Sequence, residues 1–162
     1  MKMLDPQPAS VADRTAWESQ LCVGAQEVFE MMVGTKLVRP LKPESMMGAE
    51  FTAMVGMAGE ICGVFSIRCS ERAASAIASK MLGISLEDAG QEKWDAMGEV
   101  CNMVAGSFKS KLAGGGENCM LSVPTVITGA DYRLRSLADG ETIALCLQFD
   151  DEPLWFSLEL HH

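Results

Sequence analysis

Between Gln91 and Leu112 the chain carries two contrasting faces at helical spacing, and no other stretch limits its fold as strongly. Trp94, Met97, Cys101, Val104, Phe108 and Leu112 form an apolar stripe that has to be buried against other elements. On the opposite face Asp95, Glu99 and Asn102 fall at i, i+4 and i+7, so their side chains point the same way. Gly106 continues that second stripe one turn later without a side chain, and Lys109 follows. One face anchors the helix. The other presents a carboxylate and a carboxamide beside bare backbone.

The remaining elements follow from the same periodicities. Ala12 to Val33 is predicted as a helix with Trp17, Leu21, Ala25, Val28, Phe29 and Met32 on one side, and Gly34 is its C-cap. Residues 35–48, with Pro40 and Pro43, are expected to be loop or extended chain. Residues 50–68 alternate around Gly56, Gly59 and Gly63, which predicts a two-stranded hairpin. Arg72 to Leu82 is a second helix that stops at Gly83. Ser85 to Asp88 opens the next helical segment, and the main helix runs from Gln91 to Leu112, ending at Gly114-Gly115-Gly116.

Strands are expected over Cys119–Thr128, Thr142–Phe149 and Leu154–Leu160, with a shorter one at Tyr132–Leu137. In the last of them Leu154, Phe156, Leu158 and Leu160 share one face, and Asp150 to Pro153 is the turn before it. The two long helices end alike, at Val28-Phe29-Glu30-Met31-Met32-Val33-Gly34 and Phe108-Lys109-Ser110-Lys111-Leu112-Ala113-Gly114, and each leads into strands. This pattern predicts an α+β fold: two long helices packed on an antiparallel sheet, with a weak internal duplication of a helix-plus-strands unit.

A length of 162 residues fits one domain, placed at 11–160 behind a loose N-terminal tail of residues 1–10. His161 and His162 read as a tag remnant and are given no role. The net charge of −9, from 13 basic and 22 acidic residues, argues against nucleic acid or an anionic membrane as partner. No apolar run approaches a membrane span, and the start has no apolar signal region, so a cytoplasmic protein is expected. The six cysteines form no CxxC pair and lie mostly in apolar runs; they are expected to be small buried hydrophobes rather than metal ligands. With no internal histidine, a Ser-His or Cys-His nucleophile is not expected either. Gly114-Gly115-Gly116 lacks the Lys-Ser/Thr of a phosphate-binding loop and follows a helix instead of preceding one.

Charged and polar residues at i, i+4 and i+7 are common on solvated helix faces, so spacing alone does not make Asp95, Glu99 and Asn102 a site. Gly98 and Gly106 add information, because each costs about 1 kcal/mol relative to Ala inside a helix. Close approach of a partner to the backbone, or tight packing on the protein's own sheet at Gly98, would account for them.

The block Gly98-Glu99-Val100-Cys101-Asn102-Met103-Val104-Ala105-Gly106, with Asp95 before it, Lys109 after it and Pro124 further on, resembles the CheX branch of the CheC/CheX/FliY chemotaxis phosphatases. Ile77-Ala78-Ser79-Lys80-Met81-Leu82-Gly83 fits the same pattern, and the resemblance spans most of residues 15–160. It implies a phosphatase acting on the aspartyl phosphate of a phosphorylated CheY-type response regulator. Asn102 would then position the attacking water, and Glu99 would dock on the regulator's active-site lysine. Gly106 would leave room for the partner's loops, while Asp95 and Lys109 would be partner contacts or plain helix surface. The resemblance implies no metal or cofactor of this chain's own, the Mg²⁺ belonging to the regulator, and it implies a homodimer. Aligning Gly34 with Gly114 sets Ser19 opposite Glu99 and Cys22 opposite Asn102, a pair suited to neither job, so one site per subunit is expected. A non-catalytic adaptor of the same fold and a dimeric assembly protein remain the alternative readings.

Overall fold

The computed structural model describes residues 11–42, 45–46, 48–112 and 118–161. Three helices, α1 (Val11–Val28), α2 (Glu71–Leu82) and α3 (Ala89–Ser110), pack on one face of an antiparallel sheet. Its strands are β1 (Phe51–Gly59), β2 (Gly63–Cys69), β3 (Cys119–Leu121), β4 (Thr125–Thr128), β5 (Thr142–Phe149) and β6 (Glu152–Leu160). The order across the sheet is β3-β1-β2-β6-β5, with β4 pairing β1 on the same side as β3. The expected tail 1–10, Pro43, the Gly114-Gly115-Gly116 stop and His162 lie outside the described residues.

Each element forms where the sequence favours it. A π-helical turn over Phe29–Val33 extends α1, and Gly34 closes it at φ 71 with its N–H on the Phe29 carbonyl. Only glycine enters this left-handed region without strain. Ser70 caps α2 by accepting the Ala73 N–H at 3.0 Å, and Gly83 ends it at φ 64. Before α3, the Ser85 hydroxyl accepts the Asp88 N–H and donates to the Asp88 carboxylate. The main helix therefore starts two residues before Gln91 and ends at Ser110, with buried Leu112 just outside it.

The helix-facing side of the sheet alternates as the strand period requires. Phe51, Ala53, Val55 and Met57 of β1 are buried, as are Leu154, Phe156, Leu158 and Leu160 of β6. Phe29 meets Phe149 and Phe156 edge-on at ring distances of 5.9 and 6.3 Å, which ties the end of α1 to the β5–β6 hairpin. Met97, Cys101, Val104 and Phe108 of α3 are fully buried in the same core.

The topology contains the duplication. One half runs α1, a segment through Val38, β1, β2. The other runs α3, β3 and β4, β5, β6. The hairpins β1–β2 and β5–β6 meet at the central β2–β6 pairing. Each half sends its leading segment across to the other: β3 and β4 pair β1, and Val38 bridges Gln148 of β5. The two halves are thus related as a swapped pair, with α2 inserted between them.

Three expectations need correction. Cys119–Thr128 is two strands, because Pro124 has no N–H to give the ladder; Ser122 bonds Gly56 through both its N–H and its hydroxyl at the break. Tyr132–Leu137 is not a strand. It crosses the outer face of the sheet, where the Tyr132 hydroxyl lies 2.6 Å from that of buried Thr52. Trp94 is not in the core: it is 38% exposed, its ring set 5.9 Å from Phe51.

The described cysteines are all free thiols. Cys69 and Cys101 are buried, and burial pushes both thiols up to about 12, with the Glu152 carboxylate adding to the effect at Cys69. The thiolate is the reactive form, so these two are inert in the folded protein. Both thiols stay protonated in the fold while those of the unfolded chain ionise from the ordinary value of 9.0, so the fold loses stability as pH rises from there towards 12. Iodoacetamide at pH 8 should modify exposed Cys62 in the native protein and reach Cys69 and Cys101 only on unfolding, as peptide mass mapping would read. Native modification of Cys69 or Cys101 at the rate of Cys62 would contradict this.

Candidate functional site

The site is built on α3. Its buried side packs on β1 and α1, so the helix cannot rotate and the Asp95–Glu99–Asn102 stripe is fixed outward. Asp95 and Glu99 are exposed, and Asn102 and Gly106 are half-buried. None of the three polar side chains makes a hydrogen bond or ion pair with a described residue. A carboxylate and a carboxamide held on rigid backbone, with their bonding capacity unused, can engage an external group without first breaking an internal contact.

The two helical glycines have different surroundings. At Gly98 a Cβ would lie 3.4 Å from Pro124 Cβ and 3.7 Å from Val126, so this position seats the helix on the turn between β3 and β4. Pro124 thus supports the stripe from beneath. At Gly106 a Cβ would meet only Leu121, at 4.0 Å. A side chain at Gly98 would be in ordinary van der Waals contact with the protein's own sheet and one at Gly106 would have more room, so neither set of neighbours by itself demands glycine.

Lys109 is half-buried, and its ammonium donates to the Cys119 carbonyl, tying the last turn of α3 to β3. The Ser110 hydroxyl donates to the Gly106 carbonyl at 2.8 Å. Val123, next to Pro124, is 85% exposed and puts an apolar side chain in the turn that carries the helix.

At the other end Lys93 is buried, pairs with Glu71 of α2, and lies 5.5 and 4.8 Å from the ring centroids of Phe51 and Trp94. This cluster escaped the sequence reading. The available signal was Lys93's place on the Met97 and Val100 side of the helical wheel, where a lysine needs a partner. Among the described residues no three His, Cys, Asp or Glu side chains cluster in a way that could hold a metal ion. Among the described residues no helix is long and apolar enough to cross a membrane.

On α1, Ser19 is exposed and Cys22 is buried, so the matching helix shows neither an acid nor an amide at those positions. The arrangement is a helix-and-sheet domain with a single polar stripe presented from its longest helix.

That class of domain has known members. The profile of the chemotaxis phosphatase CheX matches residues 51–148, a span that includes the whole stripe and Pro124. Chemotaxis protein CheX from Vibrio vulnificus superposes with a TM-score of 0.77 at 25% identity, covering 91% of this chain and 98% of that one. A CheX from Desulfovibrio desulfuricans gives 0.76 at 22% identity, over 90% and 99% of the two chains. CheX in a CheX–CheY–BeF3–Mg²⁺ complex from Borrelia burgdorferi gives 0.72 at 18%, over 90% and 98%. No curated protein sequence matches the chain. The chain belongs to the CheX family of chemotaxis phosphatases.

The room at Gly106 gives a test that separates stability from function. Gly106→Ala should stabilise the protein by about 0.5–1 kcal/mol, from helix propensity alone. If a partner's backbone approaches there, the same change should lower activity on that partner several-fold. A rise in Tm with full activity would assign Gly106 no part in the site.

Proposed function

We propose that the chain is a phosphatase for the aspartyl phosphate of a CheY-type response regulator, acting through Glu99 and Asn102. The observation that carries this reading is the unengaged acid and amide on one fixed helix face, within the span matched by the CheX profile. The Borrelia burgdorferi relative, solved with CheY, BeF3 and Mg²⁺, supports a regulator of that type as the partner.

Hydrolysis of an acyl phosphate asks little covalent chemistry of the catalyst. The water oxygen forms a bond to phosphorus as the bond to the aspartyl oxygen breaks; the carboxylate leaves, and the water's proton ends on the released phosphate. What the catalyst contributes is position. The Asn102 amide both donates and accepts, so it holds a water in line without titrating. Glu99 pairs with the regulator's active-site lysine and sets the register of docking. The Mg²⁺ is held by the regulator. Asp95 and Lys109 flank the contact, and Gly106 admits the partner's loops.

Loss of phosphate from a Mg²⁺-loaded, phosphorylated CheY-type regulator is the direct assay. Wild type should accelerate it. Asn102→Ala should lower the rate roughly 100- to 1000-fold, the scale for losing one positioned polar group, with binding retained. Glu99→Ala should instead raise the concentration needed for half-maximal rate. No acceleration by wild type on several regulators, with binding intact, would make the chain an adaptor. The homodimer belongs to the same proposal, and sedimentation of these samples as a monomer would remove it.

A further inference from the structure

The outer face of the sheet, away from the helices and from α3's stripe, carries a groove of about 400 Å³. This lies in the range of small-ligand sites, roughly 300–1,000 Å³. Strand register explains its shape. Ser66, Ser157 and Ala144 align across β2, β6 and β5, so the row has small side chains over these three strands and forms a floor there. In the next row Arg68 stands opposite Trp155, and Trp155 opposite Cys146. Met46 and Leu134 add apolar walls. The Tyr132–Thr52 contact holds the segment bearing Leu134 over the sheet, with Thr52 directly opposite Arg68 on β1.

Arg68 is the unusual member. Among the described residues its buried Nε has no hydrogen-bond partner. Within the same set its Nη1 reaches only the Met46 Sδ, at 3.6 Å, and a thioether is a weak acceptor. Among the described residues no carboxylate pairs with it, although Glu159 also borders the groove. Yet acidic residues outnumber basic ones, 22 to 13. A guanidinium keeps its charge at any ordinary pH, and a half-buried one without an anion is costly. Its planar fork matches a carboxylate in two parallel bonds.

We propose that this groove is a binding site for a small amphipathic carboxylic acid. The carboxylate sits on Arg68, and the apolar body lies along the Ser66–Ser157–Ala144 floor against Trp155. Charge complementarity selects an anion, and a groove of about 400 Å³ has the volume of a small molecule.

The probes are 4-phenylbutyrate, 4-phenylbutanol and 4-phenylbutylammonium, titrated calorimetrically into the full chain. The carboxylate should bind saturably, one per chain, at least ten-fold more tightly than the alcohol, with no binding of the ammonium. Arg68→Met should weaken carboxylate binding roughly 10- to 100-fold, the scale of hydrogen bonds to a charged group, and leave the alcohol unchanged. Ser66→Leu, which fills the floor and keeps Arg68, should abolish both and covers the case in which Arg68→Met does not fold. Asn102→Ala should bind the carboxylate as wild type does, which separates this site from the phosphatase reading. Equal affinity for acid and alcohol, no saturable binding, or full affinity in a folded Arg68→Met or Ser66→Leu protein would overturn the proposal.

Discussion

The burial of one side of α3 is the interaction on which the rest depends. Met97, Val100, Cys101, Val104 and Phe108 are fully buried, on a helix that packs against α2, α1 and β1. Burying a side chain of this kind contributes about 1.5–3 kcal/mol, so the face as a whole outweighs the cost of two glycines inside the helix. Gly98 faces Pro124 across the contact between helix and sheet, and Pro124 divides β3 from β4. Packing, strand break and helix seat are one device. Its consequence is that Glu99 and Asn102 need no internal partner to hold their direction.

The swapped arrangement of the two halves gives α1 and α3 a common frame, and only α3 carries the acid and the amide at the matching positions. Both α1 and α3 lie over the same sheet and hand their following segments to the opposite hairpin. The frame is common to both, but the outward residues are not. At the positions that match the acid and the amide, α1 carries Ser19 and Cys22, the latter 7% exposed. Duplication supplied two scaffolds, and the side chains make a stripe on one of them. The fold alone therefore says little about activity.

Most of this was open to reading from sequence, for physical reasons. Helix and strand periods are local, so α1, α2, α3 and β1, β2, β5 and β6 fall close to their expected bounds, with Gly34 and Gly83 as stops. The stripe was visible because three polar residues at helical spacing must share a face. What failed depended on distant contacts. The break at Ser122–Pro124 comes from the proline and from Gly56 on another strand. Tyr132–Leu137 has strand-like residues but is held by Thr52 across the sheet. Trp94, expected in the core, lies outward, while Lys93, for which the sequence carried no expectation, is buried and paired with Glu71 of α2. The different surroundings of Gly98 and Gly106 could not be told from sequence, because they depend on the neighbours of each Cβ position.

The central claim is that α3's polar face enters the phosphoryl site of a response regulator. The most direct measurement is the side-chain amide resonance of Asn102 as a BeF3-activated, Mg²⁺-loaded CheY-type regulator is added. The account predicts a saturable shift of that resonance, with backbone shifts confined to the neighbourhood of Asp95, Glu99 and Gly106. Saturable binding that leaves the Asn102 amide unmoved, with shifts centred elsewhere on the chain, would contradict it.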